Sequence, residues 1–454
     1  MSEESASADS SADSSLARIR EALAARVVSA TGISSDRIAA ALRDVPRHLF
    51  LPQLPPEEAY RDDAIVTKRD ADGQPISSSS QPAIMAIMLG QLDLAPGQRV
   101  LEIGAGTGYN AALMRHIVGP DGAVVSIDID AEVAGQARDH LACAGYPDVT
   151  VVDADGAEGY LPAAPYDRVI ATVGVADLAP SWLDQLSPGG RIVVPLDVRG
   201  TQLAVAFERA APAGPQDPAA PQDPAAPWRS VSLAPCGFMR MRGPNAGPER
   251  TVFLQPGLSV MLPDGLRLAD GKPVDAEALA GYLAGPPVQL ATGVRAGSTM
   301  VVWGLGLWLA ARDPRSCAVT EERPARTRET RGSRPGALRL RRAPFRRRGL
   351  RVTAGIVDSG GIAVLTGTAV SSRGSAAGTA PGLLTLQVAG FGPHASELAA
   401  GLAAHVQAWD RAGQPGEAGL HVDAYPRSSA AEPGPARDGL LIERTSTRFV
   451  VYGS

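Results

Sequence analysis

The stretch RVLEIGAGTGYNAALMRHIV, Arg99 to Val118, constrains the fold more than any other part of the chain. An apolar run of strand length ends in Gly104, Gly106 and Gly108, and a segment with helical spacing follows at once. Glycines at a strand exit let the chain turn tightly and lie against a ligand. The rhythm then repeats. AVVSIDID reads as a strand, AEVAGQARDHLACAG as a helix, and VTVVDADG and DRVIATVGV as further strands. SPGGRIVVPL supplies a Pro-Gly-Gly turn feeding another strand. Repeated units of this kind predict an α/β fold with a parallel, doubly wound sheet.

Asp128 ends the second of these strands, 20 residues after Gly108, where a carboxylate accepts hydrogen bonds from ribose hydroxyls. Dinucleotide-binding folds share that acid, so it does not choose the cofactor. Two further features do. Asp155-Gly156 follows the third strand and suits an adenine edge. Glu102, just before the glycines, suits a cationic, amino-bearing ligand better than a pyrophosphate, which it would repel. With LSPGGRIVVP ahead of the fifth strand, the set points to S-adenosylmethionine, held by Glu102, Gly104, Gly106, Gly108, Asp128, Asp155 and Gly156. The competing structural reading is that glycines and acids serve only the strand ends.

Upstream, QPISSSSQPAIMAIML places four serines, Ser77 to Ser80, directly before an apolar segment. A serine run is commonly a spacer, but this one abuts the expected start of a buried helix near Pro82. Ser78, Ser79 or Ser80 could cap that helix, since proline is favoured in a first turn. A serine hydroxyl can also donate to one oxygen of a carboxylate and leave the other free. His48, His116 and His140 are read as structural or surface histidines, and no catalytic triad is apparent from the sequence.

Composition bounds the rest. A net charge of −5 gives no pull toward nucleic acid or membrane, and Cys143, Cys236 and Cys317 lie too far apart for a metal or disulfide spacing. They are expected as plain thiols in a reducing cytoplasm. Residues 1–15 are polar and acidic and read as a disordered tail, not a signal peptide. Residues 16–242 read as the cofactor domain, with 211–227 as a Pro/Ala-rich loop inside a hairpin. Residues 243–454 read as a second, α+β domain, in which TMVVWGLGLWLAA is too short for a bilayer span and is taken as core. Its segment 321–351 is dense in arginine, read either as a disordered insertion or as a binding arm for an acidic partner.

VPRHLFLP, AYRDDAIV, the QPI…SQP segment, VLEIGAGTGYNAAL, APYDRVI and LSPGGRIVVPL stand in the order seen in protein-L-isoaspartate O-methyltransferases. The chain resembles that family over roughly Leu16 to Arg209. The resemblance implies a Rossmann-like, seven-stranded methyltransferase fold, S-adenosylmethionine as donor and a peptide aspartyl-type carboxylate as acceptor. It implies that the glycine loop holds the methionine part of the cofactor, Asp128 the ribose and Asp155 the adenine. The family's catalytic serine lies in a Gln-Thr-Ile-Ser-Gln-Pro motif. Read back from Gln81-Pro82 its counterpart is Ser80; read forward from Gln74-Pro75-Ile76 it is Ser77; Ser78 and Ser79 lie between.

The serine variant and the long C-terminal part resemble the subgroup associated with lanthipeptides, lasso peptides and graspetides. That implies a precursor peptide as partner, an aspartate in it as acceptor, and an ester that collapses through succinimide. Residues 243–454 would then recognise the peptide. Two other readings compete: repair of isoaspartyl residues in damaged proteins, and a methyltransferase-derived binding protein using its arginine-rich arm. The complete cofactor motif speaks against the last, and the protein is expected to be a cytoplasmic enzyme.

Overall fold

The computed structural model describes residues 3–453 apart from 72, 211–225, 244–245, 248–249, 256, 263–267, 269–270, 299, 323–344, 348–349, 370–382 and 428–438. Its first helix runs Glu3–Thr31, so the expected disordered tail is instead continuous with that helix. The next helix, Asp36–Asp44, buries Ile38, Ala39, Ala41 and Leu42 at helical spacing and stops ahead of Pro46.

A short antiparallel hairpin follows, β1 (Ile65–Arg69) with β2 (Pro75–Ser79), and then the helix Pro82–Leu92. The expected alternation comes next. Its strands are β3 (Arg99–Ile103), β4 (Ala123–Asp128), β5 (Thr150–Asp153), β6 (Tyr166–Ala171) and β7 (Leu186–Val198). They pair in parallel in the order β5-β4-β3-β6-β7. β3, β4, β6 and β7 bury consecutive apolar residues such as Val100-Leu101, Val124-Val125, Val169-Ile170 and Ile192-Val193, as strands covered on both faces do. β8 (Thr201–Arg209) and β9 (Trp228–Cys236) add an antiparallel hairpin, closed where Ala210 N–H donates to the Pro227 carbonyl at 2.8 Å. Most of the Pro/Ala-rich loop, 211–225, lies outside the described residues.

The second sheet holds β10 (Arg250–Gln255), β11 (Leu258–Leu262), β12 (Val288–Gly297), β13 (Ser316–Glu322), β14 (Phe345–Arg347), β15 (Leu350–Asp358), β16 (Gly361–Ala369) and β17 (Leu383–Phe391). The order is β10-β11-β13-β15-β16-β17-β12, with β14 also on β15. Helix Ala395–Arg411 lies on this sheet and buries Leu398, Leu402, Val406 and Trp409. The TMVVWGLGLWLAA segment forms a π turn, Met300–Leu305, running into helix Gly306–Arg312, with Val301, Leu305 and Leu309 buried as expected. The arginine-rich segment joins the neighbouring strands β13 and β15, but residues 323–344 lie outside the described residues. At its base Arg351 pairs with Glu321 at 3.2 Å.

The boundary at residue 243 needs correction. β18 (Leu420–Pro426), β19 (Leu440–Glu443) and β20 (Thr447–Gly453) do not belong to the second sheet. They extend the first one in the order β19-β20-β18-β9, through Asp423 opposite Arg229 and Ala424 opposite Trp228. The seven strands β3 to β9 thus become ten among the described residues, and β9 is an interior strand. Trp228, Phe207, Val422, Ala424 and Phe449 share one buried cluster across this seam. Pairing partners nearly 200 residues apart leave no local trace in the sequence, as the Val422 N–H bond to Ser230 Oγ at 2.8 Å illustrates. Among the described residues no helix is long and apolar enough to cross a membrane.

Candidate active site

The parallel strands reverse their order between β3 and β6, and open α/β sheets bind ligands beyond the strand ends at such a switch point. A cavity of about 720 Å³ lies there, walled by both sheets. Gly104, at φ 101°, leaves β3 under Thr172, whose Oγ1 donates to the Gly104 carbonyl at 2.6 Å. A Cβ on Gly104 would come within 2.8 Å of that oxygen, so only glycine fits. Gly106 lines the cavity beside the Ser78 carbonyl, 3.3 Å from where its Cβ would be.

Gly108 differs. It is not among the residues lining the cavity; its close neighbours are Ala137 and Leu141 on helix Ala131–Cys143. Packing against that helix and a φ of 87° are enough to require glycine here. Asp155 is also absent from the lining. Its carboxylate accepts from Ala157 N–H at 3.0 Å and caps the turn that carries Gly156, which does line the cavity.

Asp128 and Glu102 supply the negative charge. Asp128 accepts from the N–H groups of Gly106 and Asp130, both at 3.1 Å, and burial pushes its pKa up. Glu102 is fully buried in the cavity wall. Asn110 Nδ2 donates to one of its oxygens at 2.8 Å and Ser126 Oγ to the other at 2.5 Å. Burial nonetheless pushes its carboxyl up to about 7, so the fold carries an acid that a nearby cation would ionise.

Ser77 to Ser79 lie in strand β2 and Ser80 just past its end, none of them at a helix cap, and all four residues line the cavity. Pairing with β1 sets Ser79 opposite Ile65, Ser78 opposite Val66 and Ser77 opposite Lys68. Strand alternation puts Ser77 and Ser79 on one buried face. Ser77 Oγ accepts from Thr67 Oγ1 at 3.2 Å. Ser79, 2 % exposed, has a hydroxyl with no hydrogen-bond partner among the described residues. The cap position of helix Pro82–Leu92 belongs to Gln81, whose side chain does not cap it. Asp62 does so instead, accepting from Ala83 N–H at 2.9 Å and from Gln81 Nε2 at 3.0 Å.

Arg47 is the functional neighbour that sequence reasoning missed. It is fully buried, donates to the Ser80 carbonyl at 3.1 Å and to the Ala59 carbonyl at 2.8 Å, and stacks over Tyr109 at 5.0 Å. It therefore fixes the exit of the serine strand. VPRHLF was the available signal, because an arginine beside an apolar turn needs several acceptors if it is buried.

His48, His116 and His140 line no part of the cavity and pair with Tyr60, Tyr146 and the Thr107 carbonyl. Cys236 and Cys317 line it as buried free thiols, both pushed up by burial. Among the described residues no cluster could hold a metal ion.

A strap, Gly237 to Arg242, crosses from the first sheet toward the second. It pairs with Gly174 through Met239 and Met241 at 2.7 and 2.8 Å. Arg242 ends it 3.7 Å from Asp130, whose carboxylate also accepts from Lys68 Nζ at 2.8 Å. Lys68 reaches Glu132 at 2.7 Å, so charges on the β1–β2 hairpin, the strap and helix Ala131–Cys143 meet beside the cavity. Second-sheet residues complete the wall, among them Met261, Trp303 and the facing parts of β13 and β15.

The geometry has relatives. Residues 18–217 match the family described as Protein-L-isoaspartate(D-aspartate) O-methyltransferase. A Protein-L-isoaspartate O-methyltransferase of Methanopyrus kandleri is 44% identical over 186 residues, 41% of this chain and 80% of the relative. One of Methanoculleus marisnigri is 40% identical over 185 residues, again 41% and 80%. The chain belongs to the protein-L-isoaspartate O-methyltransferase family. It is an S-adenosylmethionine-dependent methyltransferase with a Rossmann-like sheet. A solved structure titled protein-L-isoaspartate O-methyltransferase aligns with 89% of this chain and 96% of its own at 22% identity and a TM-score of 0.44. The family match ends at residue 217, so the second sheet lies beyond it.

Proposed function

We propose that this enzyme methyl-esterifies the side-chain carboxylate of an aspartate in a modified precursor peptide in the cytoplasm. The ester would then close to a succinimide, with isoaspartate as the product of its hydrolysis. The observation that carries this reading is the shared cavity. The glycine loop and Asp128 bound one part of it, the four serines another, and a sheet beyond the family match a third.

The residues fit the cofactor. Gly104 and Gly106 offer backbone that a side chain would obstruct, Glu102 an acid for the cationic methionine end, Asp128 a ribose acceptor and Gly156 an open edge for adenine, with Asp155 holding its turn. S-adenosylmethionine, when bound, supplies an electrophilic methyl group. The acceptor needs no base, since a carboxylate with an ordinary pKa of about 4 is ionised at neutral pH. That agrees with a cavity lined by no histidine. The protein's part is to orient and desolvate the acceptor. A serine hydroxyl can donate to one oxygen and leave the other to attack, without a charge that would quench it. Ser79 is the first choice for this role, with Ser80 beside it and Ser77 and Ser78 shaping the strand. Succinimide closure follows when the next residue's amide nitrogen attacks the ester carbonyl and methanol leaves.

The relatives' names favour a second reading, repair of isoaspartyl residues. Mass spectrometry of a candidate precursor co-expressed with the enzyme separates the two. Gain of one methylene mass followed by loss of methanol on an aspartate supports the proposal. Transfer to isoaspartyl peptides alone would replace it with repair.

A further inference from the structure

The part of the cavity formed by the second sheet has features that cofactor binding and carboxylate orientation do not use. Ser316, Ala318 and Thr320 alternate along β13, and Val352 and Ala354 stand opposite Thr320 and Ala318 on β15. All five line the cavity, as does Trp303 on the π turn. The sheet therefore presents a face of small side chains beside one large aromatic, which leaves space for a bulky group. Within it, the Ser316 hydroxyl is buried, with the residue 5 % exposed, and has no hydrogen-bond partner among the described residues. An unpaired buried hydroxyl destabilises a fold unless something else completes it.

The same cavity continues to the serine strand and the glycine loop, which touch where the Ser78 carbonyl lies against Gly106. The two sheets are fastened around it. Arg240 contacts Met261 Sδ at 2.9 Å while paired with Asp197, and a Cβ on Gly200 would lie 3.7 Å from the Met261 methyl. The space beside Trp303 is thus one with the space in which the acceptor carboxylate is oriented.

We propose that this face is a specificity subsite for the peptide residue adjacent to the acceptor. It takes a bulky apolar side chain against Trp303, Ala318 and Ala354, and Ser316 Oγ completes its hydrogen bonding with that residue's backbone. The proposal rests on the peptide-carboxylate reading above. It goes further in naming the neighbouring residue as a determinant and the second sheet as its reader.

The test uses the full chain and short blocked peptides, aspartyl and isoaspartyl, with Gly, Ala, Leu or Phe next to the acceptor. Methyl transfer gives kcat/KM, and calorimetry gives S-adenosylmethionine affinity. Leu and Phe are expected to exceed Gly by about tenfold or more, as burial of a large apolar side chain allows. Trp303→Ala should flatten that preference. Ser316→Ala should raise peptide KM about two- to tenfold, the worth of one hydrogen bond, without lowering thermal stability. Neither change should alter cofactor affinity.

If Trp303→Ala loses cofactor binding with its fold, Ala318→Phe takes its place and must turn the preference toward Gly. Methylation that ignores the neighbouring residue, or a preference untouched by these variants, removes the subsite and leaves the proposed function standing. No methylation of any peptide by a protein that binds cofactor removes both.

Discussion

Glu102 is where residue chemistry makes the sharpest prediction. Its carboxyl, ordinarily near 4.5, is pushed up to about 7 by burial. Between those values the folded protein keeps a proton that the unfolded chain has released. Glu102 therefore makes the cofactor-free enzyme less stable as pH rises through that window. A cation placed beside it reverses the preference, so cofactor affinity should rise with pH between about 5 and 7.5, with proton release on binding. Glu102→Gln should remove that pH dependence and weaken binding about tenfold or more, read by calorimetry at several pH values. Affinity that stays flat with pH in the wild type would detach Glu102 from the cofactor.

Ser79→Ala should lower kcat at least about tenfold without lowering thermal stability, because its hydroxyl has no partner to lose. An unchanged rate would move the role to Ser80. At this scale Gly104, Gly106, Glu102, Asp128 and the serines could be singled out from the sequence, each a residue type suited to one chemical task, and the structure brings them to one cavity. Gly108 and Asp155 were read from their places after the strands, and the structure adds a packing role for the first and a capping role for the second.

The elements around the serines are held by groups distant in sequence. Asp62 caps helix Pro82–Leu92 from 21 residues away, and Arg47 grips Ser80 from 33 residues away. Losing a cap costs about 1 kcal/mol, so Asp62→Ala should lower the melting temperature by a few degrees. Peptide kcat/KM should fall with it, because the serine strand and the helix lose their shared anchor. A drop in stability with unchanged kcat/KM would show that the cap is structural only.

Lys68 tethers the same hairpin to Asp130 and Glu132. Lys68→Ala should weaken cofactor binding severalfold at low ionic strength, and the difference should shrink in high salt because the pairs are only partly buried. A salt-independent difference would rule out an electrostatic clasp. The apolar run made helix Pro82–Leu92 predictable, whereas the β1–β2 hairpin was not read from the sequence. Of the two readings of the serine run, capping does not hold, because pairing with β1 draws Ser77 to Ser79 into a strand and Asp62 caps the helix.

At the scale of the whole molecule, the last strands and the first sheet are one unit. Residues 1–242 alone would expose the β9 edge and the apolar surface of Phe207 and Trp228 that Val422, Ala424 and Phe449 cover in the full chain. That fragment should fail to unfold cooperatively in calorimetry, although the family match lies wholly within it. A fragment melting like the full chain would refute the shared sheet. The amino-acid sequence by itself determined the α/β alternation and the cofactor, and it marked out the serine run. Each depends on periodicity or on residues close together in the chain. Only the tertiary structure decided where the last three strands pair, which serine is left buried without a partner, and that the second sheet walls the reaction cavity. Those outcomes depend on contacts between residues tens to hundreds of positions apart, which no local pattern encodes.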